Sequence, residues 1–539
     1  MHINAHLYKE FMMNRVENIL LELFEKHPQL TTKEIIEHTS LARRTVQKYL
    51  SSLLQKNQIE AFGEGRGRYY QRIYSNKEIL HHLAVLKNDI LIGKLSYGHG
   101  QYSFTYDKSY KGSELLGLNR DSQNLSSDLY PIFENLLPEY ERRNRFLKRV
   151  KDSADILSHL YNIQGDFKFI PYHQLYKHRS SAEKRPIWLT VKHKILKEHS
   201  YPNLLDFNIV ISDEILEEHS NKEHSSLSGY QHKIDINIDF EKRVITEANT
   251  KATYLMKPLN RTMIDYFAKD KNHQKRYFPL LALNEHLFMS FAKNELGLNT
   301  PWSAIVSAKG GDFHYIVKRY DRYENYSYGQ YDMAQLLNIP SDKKYNTDTL
   351  TVIEEFSKKV KNTDARIDML KFQVYASLIA HSDFHAKNIS ILDIGKENFI
   401  LAPLYDVISL GVYSGNVNDL GLPLSKKIRK FGKYKLEDYL LIAKSLDIGN
   451  IKAKQVIKQV IETFLDNFPL YIQKTKEFEE KYNIKIQSSR MGKKKFSDSL
   501  ASMYERKLIQ LKKHGVLQEL SIIEKYGGVL KREKINKKL

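Results

Sequence analysis

The stretch HSDFHAKN at residues 381–388 decides the predicted fold, and it is followed by an apolar run and then by LYDV at residues 404–407. Asp383 stands five residues before Asn388, and Asp406 comes one predicted hairpin later. Phosphoryl transfer uses an Asp that takes the proton of the acceptor hydroxyl, a metal-binding Asn five residues later and a further metal-binding Asp. The spacing therefore predicts a phosphoryl-transfer site.

The oxygen-bearing side chains of this motif predict a magnesium site. Asn388 and Asp406 offer the hard oxygen ligands that Mg²⁺ prefers. His381 and His385 lie four residues apart, a spacing that forms a zinc pair only on a helix. Because a strand is predicted directly downstream, we expect the two histidines to brace a loop by hydrogen bonds instead.

The charge of the whole chain indicates which partners it meets. The 539 residues include 84 Lys and Arg against 64 Asp and Glu, a formal net charge of +20. Such a surplus favours polyanionic partners, such as nucleic acid or nucleotides, although a lysine-rich proteome gives the same surplus. The absence of cysteine excludes disulfides and thiolate zinc sites. With no apolar run near the roughly 20 residues of a spanning helix and no signal peptide, we expect a cytoplasmic protein without a membrane partner.

Residues 1–75 are predicted to form a winged helix-turn-helix domain. Three helical patterns precede IEAFGEGRGRYYQRIY at 59–74, which is typical of a hairpin with a glycine-rich tip. Basic and polar side chains on the third helix and the wing could grip duplex DNA. The expected DNA-binding residues are Arg43, Arg44, Gln47, Lys48, Arg66 and Arg68. A module for dimerisation or docking is the alternative.

Further along the chain, a strand-rich stretch precedes a larger helical one. This order predicts an α+β, two-lobed, protein-kinase-like fold with a mostly helical C-lobe. The predicted segments are a helical connector over 76–91, an N-terminal subdomain over 92–170, a small kinase lobe over 171–315 with an irregular insertion at about 172–205, a helical large lobe over 316–490 and a basic helical tail over 491–539.

Several separated motifs resemble the HipA family of serine/threonine kinase toxins. HSDFHAKNISIL and PLYDV resemble its catalytic loop and metal-binding motif, and FENLLPEYERR at 133–143 resembles part of its N-terminal subdomain. SSLSGYQHKIDI at 225–236 resembles its phosphate-binding, regulatory loop, and KRYDRY at 318–323 resembles its hinge between lobes. The motifs keep the family's order from about Ile92 to the 460s, so the likeness is not confined to one loop.

The resemblance implies roles for particular residues. Asp383 and Lys387 are the expected catalytic residues, and Lys257, at the end of ATYLMKP, is the expected phosphate-contacting lysine. Glu285 is expected to pair with Lys257, with a plain surface position as the alternative, and Asp321 to lie at the ribose. The residues expected at the ATP site are Ser228, Gly229, Lys233, Lys257, Glu285, Tyr320, Asp321, His385, Asn388 and Asp406.

The regulatory loop predicts a switch. Ser228 matches the serine that HipA kinases autophosphorylate, and Ser226 lies two residues earlier. A phosphate there adds about −1.5 to −2 charge and would compete with the phosphates of ATP. We therefore expect autophosphorylation at Ser226 or Ser228 to inhibit the kinase.

The resemblance also implies a biological setting. It implies a toxin of a toxin–antitoxin system, linked to bacterial persistence, that phosphorylates a protein acting in translation, with an aminoacyl-tRNA synthetase as a candidate. The fused DNA-binding domain implies autoregulation, and a homodimer is a candidate assembly. No motif identifies the target. The alternatives are a transcription regulator whose kinase domain senses nucleotide, a small-molecule phosphotransferase with a similar His-x-Asp-x-His loop and, last, a nuclease.

Overall fold

The computed structural model of the protein forms two compact units. The first unit draws on the segments Met1–Tyr130, Val150–Ser158 and Lys168–Ser180, and the second on Pro131–Arg149, His159–Phe167 and Ser181–Leu539. The structure describes residues 16–17, 19–24, 27, 29–65, 68–73, 81–98, 100–122, 124–148, 150, 152–160, 162–177, 185–209, 233–248, 252–259, 278–308, 311–395, 397–485 and 495–527. The domain boundaries given above stay predictions.

The N-terminal part of the first unit combines helices with a small sheet. Helix α1 (Thr32–Thr39) begins at a capping box, in which Thr31 and Glu34 each accept the other's backbone N–H, at 3.3 and 2.8 Å. Helix α2 (Arg43–Gln55) buries one face, formed by Val46, Leu50 and Leu53. Three antiparallel strands pair in the order β1-β3-β2, and they are β1 (Leu30–Thr31), β2 (Ile59–Phe62) and β3 (Tyr69–Arg72).

A five-stranded sheet follows in the same unit, in the order β7-β6-β5-β4-β8. Its strands are β4 (His81–Lys87), β5 (Ile90–Gly98), β6 (Gln101–Tyr106), β7 (Asn124–Ser126) and β8 (Phe167–Pro171). The helical connector predicted over 76–91 is therefore wrong for its described part. Strand β4 is an inner strand of this sheet, and Leu83–Leu86 are all buried, so side chains on both of its faces are covered. A strand covered on both faces shows a continuous apolar run, which resembles a helix segment as much as a strand.

The second unit contains a seven-stranded sheet in the order β10-β12-β11-β13-β15-β14-β9. Its strands are β9 (Leu204–Leu205), β10 (Asn208–Ile209), β11 (Ile234–Asp239), β12 (Val244–Glu247), β13 (Tyr254–Lys257), β14 (Ser303–Ser307) and β15 (Phe313–Lys318). Alternate residues of the central strands, such as Ile236, Met256 and Ile316, are fully buried in one core. Helix α7 (Leu281–Asn294) has eleven consecutive buried residues, 282–292, as expected for a helix enclosed on all sides.

The predicted irregular insertion is partly regular. A 3-10 helix spans Tyr172–Lys177, and helix α6 spans Trp188–Leu196. Helix α6 buries Trp188 in a cluster that includes Tyr328. The prediction missed this helix because its flanking apolar residues also face solvent, with Ile187 and Leu189 exposed by 68 and 77 %. Apolar residues on both faces hide the helical period.

The remaining described elements of the second unit are mainly helical. They are α3 (Pro131–Glu134), α4 (Tyr140–Leu147), α8 (Met333–Leu336), α9 (Thr349–Lys359), α10 (Thr363–Leu378), α11 (Leu436–Ser445), α12 (Asn450–Lys481), α13 (Phe496–Lys513), α14 (Val516–Glu519) and α15 (Ile523–Gly527), with the strands β16 (Arg322–Tyr323), β17 (Tyr326–Ser327), β18 (Gly329–Asp332), β19 (Ser390–Asp393) and β20 (Phe399–Leu401). Helix α5 (Ser153–His159) lies mostly in the first unit. In the part of the chain that the structure describes, no helix is both long and apolar enough to cross a membrane.

Candidate active site

The loop after helix α10 is held by its own backbone and side chains. His385 donates its backbone N–H to the Asn388 Oδ1 at 3.0 Å, and its ring Nδ1 accepts the Lys387 backbone N–H at 3.2 Å. These bonds cap a 3-10 turn, Ala386–Asn388, that leads into strand β19. Burial lowers the pKa of His385 well below its ordinary value, so the ring is neutral and can accept this bond. His385 thus braces the loop by hydrogen bonds, whereas the same role for His381 stays a prediction.

Asp383 lies in the same loop with its carboxylate partly exposed. The hydroxyl of Tyr345 donates to its Oδ1 at 2.6 Å. Burial raises the pKa of Asp383, while this hydrogen bond partly offsets the rise. An oriented, accessible carboxylate whose pKa is shifted by its surroundings suits the role of a general base.

Asp406 lies five residues after strand β20, in a left-handed backbone conformation with φ of 54°. Its Oδ1 forms an ion pair with Lys257, and its Oδ2 lies 3.5 Å from the Lys233 Nζ. Burial alone would raise the pKa of Asp406, but the two ammonium groups outweigh it and hold the pKa well below its ordinary value. Asp406 is therefore ionised, and about a third of its side chain is exposed, at 30 %.

Lys257 and Glu285 form a buried pair beside Asp406. Strand β13 ends at Lys257, whose Nζ donates to both carboxylate oxygens of Glu285 on helix α7 at 2.7 and 2.8 Å. Their side chains are only 5 and 4 % exposed. Burial lowers the pKa of Lys257, but Asp406 and Glu285 more than compensate and raise it. The ammonium is therefore charged, and the alternative of a plain surface position for Glu285 is wrong.

Lys387 points away from this cluster into a buried polar network. Its Nζ lies 3.1 Å from the Glu139 Oε1 and donates to the Ser341 Oγ at 2.9 Å and the Asn135 carbonyl at 3.1 Å. Lys344 binds the other oxygen of Glu139 at 2.7 Å. Burial alone would raise the pKa of Glu139, but the two lysines lower it to about 2. These contacts favour a role for Lys387 in holding the loop.

The predicted hinge residues Tyr320 and Asp321 also contact other residues of the protein. Both oxygens of Asp321 accept hydrogen bonds from Arg319, at 3.0 and 2.6 Å, and the Gly165 N–H donates to Oδ2 at 2.9 Å. A contact between Asp321 and a ribose would have to share these oxygens. Tyr320 is buried, and its ring stacks on Tyr405 with centroids 6.1 Å apart.

Sequence reasoning overlooked three residues at this site. Tyr345, Lys344 and Glu139 all contact the catalytic loop or its neighbours, yet no short motif links them to Asp383. The pairing of Lys344 with Glu139 joins residues 205 positions apart in the chain.

Some predicted residues cannot be placed. Ser226, Ser228 and Gly229 of the regulatory loop lie outside the described residues, as does Arg66 of the wing. The other DNA-binding candidates are all exposed, and they are Arg43, Arg44, Gln47 and Lys48 on helix α2 and Arg68 before strand β3. Arg68 lies over the ring of Tyr70, 5.5 Å from its centroid.

The donor set of this site fits Mg²⁺ and nucleotide phosphate. Within the described ranges, no three His, Cys, Asp or Glu side chains converge on a metal position. Asp406 is ionised and Asn388 offers an amide oxygen with a second lone pair, so these two fit Mg²⁺ if phosphates and water complete its shell. The Lys233 and Lys257 ammonium groups fit an anionic phosphate.

Two protein-family models match this chain. A model described as the HipA-like C-terminal domain matches residues 225–468, and one described as the HipA N-terminal domain matches residues 83–167. The chain belongs to the HipA-like kinase family. The C-terminal match contains Asp383, Asp406 and the Lys257–Glu285 pair, and the family predicted from the motifs is confirmed.

Individual proteins and solved structures are similar to this chain. A Haemophilus influenzae protein named "Putative kinase" is 24% identical over 265 residues, which cover 44% of this chain and 72% of that protein. A structure of the Shewanella oneidensis MR-1 toxin–antitoxin complex of HipA, HipB and operator DNA has a TM-score of 0.53 and 16% identity, covering 81% of this chain and 99% of the other. A Helicobacter pylori proinflammatory kinase, CtkA, has a TM-score of 0.34 and 13% identity over 54% of this chain and 97% of its own. The likeness to the HipA structure confirms the α+β, HipA-like fold.

Proposed function

We propose that this HipA-like kinase is a serine/threonine protein kinase that transfers the γ-phosphate of ATP to a hydroxyl group of another protein. The observation that supports this most is the charged cluster of Asp406, Lys257 and Lys233. Asp406 is also one of the charged groups that act electrostatically on Asp383, which supports a site where a candidate base serves a candidate phosphate and metal position. The cluster supplies the positioning and charge stabilisation on which phosphoryl transfer depends.

Each residue has a proposed task. Lys257 and Lys233 bind the phosphates by charge, and Glu285 orients Lys257 through its two hydrogen bonds. Asp406 and Asn388 hold Mg²⁺, which when bound neutralises charge on the transferred phosphoryl group. Asp383 orients the acceptor hydroxyl and takes its proton.

The test is transfer of labelled phosphate from ATP into proteins of a cell lysate. We expect labelled protein bands with the wild type and none with Asp383→Asn, because loss of the base costs orders of magnitude in rate. Asp466→Asn is a matched control, since this Asp lies on helix α12 and bonds Lys525 and Tyr526. Label in a small molecule alone would favour the small-molecule phosphotransferase. Equal labelling by Asp383→Asn would refute the assigned base, and no labelling by the wild type would favour the nucleotide-sensing regulator.

We further propose that the N-terminal part binds duplex DNA as a winged helix and so couples the kinase to regulation of its own synthesis. Helix α2 buries Val46 and Leu50 and exposes Arg43, Arg44 and Lys48 on its other side. This is the distribution of a helix that packs by one face and meets phosphates or base edges with the other. The Shewanella oneidensis HipA structure includes HipB and operator DNA, which supports a link between this family and DNA.

The family also supports a proposal about biological role. We propose a toxin whose phosphorylated target acts in translation, with an aminoacyl-tRNA synthetase as the first candidate, and whose activity falls when Ser226 or Ser228 is phosphorylated. Identification of the labelled lysate band by mass spectrometry tests the target. A band unrelated to translation would refute this part of the proposal and leave the kinase assignment intact.

A further inference from the structure

Tyr345 lies where an acceptor hydroxyl would approach Asp383. Its phenol donates to the Asp383 Oδ1 at 2.6 Å, and its side chain is 41 % exposed. Among the residues that the structure describes, no other side chain or backbone group bonds the Asp383 carboxylate. One oxygen of the carboxylate is therefore held from within the protein, and the second is open to a substrate.

The segment that carries Tyr345 is itself fastened to the catalytic loop. The Ala386 backbone N–H donates to the Lys344 carbonyl at 3.3 Å, and the Lys344 ammonium binds Glu139 at 2.7 Å. The ring of Tyr345 meets that of His385 edge to face, with centroids 5.0 Å apart. Because these contacts already restrict the Tyr345 side chain, it loses little further conformational entropy when it bonds the Asp383 carboxylate.

We propose that Tyr345 is a positioning residue for phosphoryl transfer, which fixes one oxygen of Asp383 so that the other faces the acceptor hydroxyl. This inference rests on the proposed kinase function and adds a residue to it. The phenol acts through Asp383 and takes no part in bond making. The acceptor oxygen forms the new bond to the γ-phosphorus, the bond from that phosphorus to the β-bridging oxygen breaks, and the acceptor proton passes to the open oxygen of Asp383.

The surroundings of Asp383 give this role a signature in the pH dependence. Besides Tyr345, the charged groups that act on the carboxylate are Lys344, Asp406 and Glu139. Burial raises the pKa of Asp383, and the Tyr345 hydrogen bond and the Lys344 charge lower it. Removing the hydroxyl alone takes away one lowering influence, so the pKa rises. The base is then protonated at a higher pH, and the acid limb of the rate profile moves to higher pH.

The experiment compares Tyr345→Phe with Tyr526→Phe in the full chain, using ATP and the protein substrate labelled in the lysate assay. Tyr526 is the matched control because its hydroxyl also donates to a carboxylate, that of Asp466, at 2.9 Å. We expect Tyr345→Phe to lower kcat roughly ten-fold, a loss typical of a group that assists general base catalysis indirectly. Its KM for ATP should stay unchanged, because Tyr345 bonds Asp383 and its ring meets His385 and Lys344, whereas the proposed phosphate-binding groups are Lys233 and Lys257. Tyr526→Phe should leave kcat and the pH profile as in the wild type.

Four results would overturn the inference, and they differ from one another. If Tyr345→Phe keeps the wild-type kcat and acid limb, the residue is not a positioning residue, although the kinase assignment survives. If Tyr345→Phe is faster, the phenol competes with the acceptor instead of helping it. If the wild type transfers no phosphate, the proposed function fails, and this role fails with it. Thermal melting of each variant shows whether a lost rate reflects lost folding. If Tyr345→Phe melts at a much lower temperature than Tyr526→Phe and its acid limb does not move, Tyr345 has only a structural role.

Discussion

Replacement of Lys257 by Met is expected to destabilise the second unit strongly. The ammonium makes two hydrogen bonds to Glu285, at 2.7 and 2.8 Å, and both side chains are at most 5 % exposed. Without it, Glu285 is left as a buried charge with no matching cation, which costs about 3–5 kcal/mol. Domains are commonly stable by only about 5–15 kcal/mol, so this is a large part of the total. Asp406 adds little to the loss, because it is 30 % exposed and keeps Lys233 at 3.5 Å.

The double variant Lys257→Met/Glu285→Leu separates stability from function. Replacing a buried ion pair by apolar residues of similar size is often neutral, so the double variant should return to within about 1 kcal/mol of the wild type. ATP binding should be weak in both the single and the double variant, since each lacks the ammonium proposed to contact phosphate. The loss of binding would then not be a consequence of unfolding.

The assay can follow the second unit by itself. The chain has two tryptophans, Trp188 and Trp302, and both are buried in that unit. Urea denaturation followed by tryptophan fluorescence therefore reports its unfolding. Equal losses of stability in the single and double variants would refute the reasoning, because the cost would not come from the stranded Glu285 charge. An unchanged single variant would refute it as well.

The same single variant has a predicted pH dependence. Burial raises the pKa of Glu285 even beside Lys257, and removal of the lysine leaves that rise unopposed by its nearest cation. A group whose folded-state pKa is raised contributes stability below its unfolded pKa and loses it as the pH rises through the folded value. The stability deficit of Lys257→Met should therefore be smaller at about pH 5 than at about pH 8. A deficit independent of pH would mean that Glu285 does not carry it.

Three further predictions follow from the other sites. Asp406→Asn should weaken binding of ATP at least about ten-fold in the presence of Mg²⁺ and much less in its absence, as titration calorimetry would show, and an unchanged metal dependence would contradict the ligand role. Arg43→Ala with Arg44→Ala should weaken DNA binding by the full chain and reduce the slope of log K against log salt by about 1.8, since each phosphate contact contributes about 0.9, and an unaltered slope would favour the docking role. Intact-mass analysis should find extra phosphate, mapped to Ser228 or its neighbours, on the wild type and none on Asp383→Asn; phosphate-free active protein would contradict the switch.

The loop at residues 381–388 was predictable because the hydrogen bonds that shape it are local. Asp383, His385 and Asn388 lie within six consecutive residues, and the bonds that shape their turn are made inside the same stretch. A short motif can therefore encode both the groups and their mutual geometry. The pairing of Lys257 with Glu285 was also anticipated, because the resemblance to the kinase family implies it.

The errors arose where burial depends on other parts of the chain. Strand β4 was mistaken for a helix because side chains on both of its faces are buried, so it lacks the alternating pattern that marks a half-exposed strand. Helix α6 was overlooked because its cover comes from distant aromatic residues, such as Tyr320 and Tyr328, while Leu189 stays in solvent. Hydrophobic periodicity identifies an element that has one buried face and one exposed face, and neither β4 nor α6 has this contrast.

The sequence by itself determined the family, the type of chemistry and the residues Asp383, Asn388, Asp406 and Lys257 as its candidate carriers, because these reside in motifs whose spacing carries the signal. Only the tertiary structure decided what surrounds them. It brought the Tyr345 hydroxyl to the candidate base across 38 residues of chain, and it tied the catalytic loop to an acidic residue far upstream through buried lysines. Such contacts depend on how distant elements pack, and the energy of packing is shared among many residues that leave no pattern of their own in the sequence.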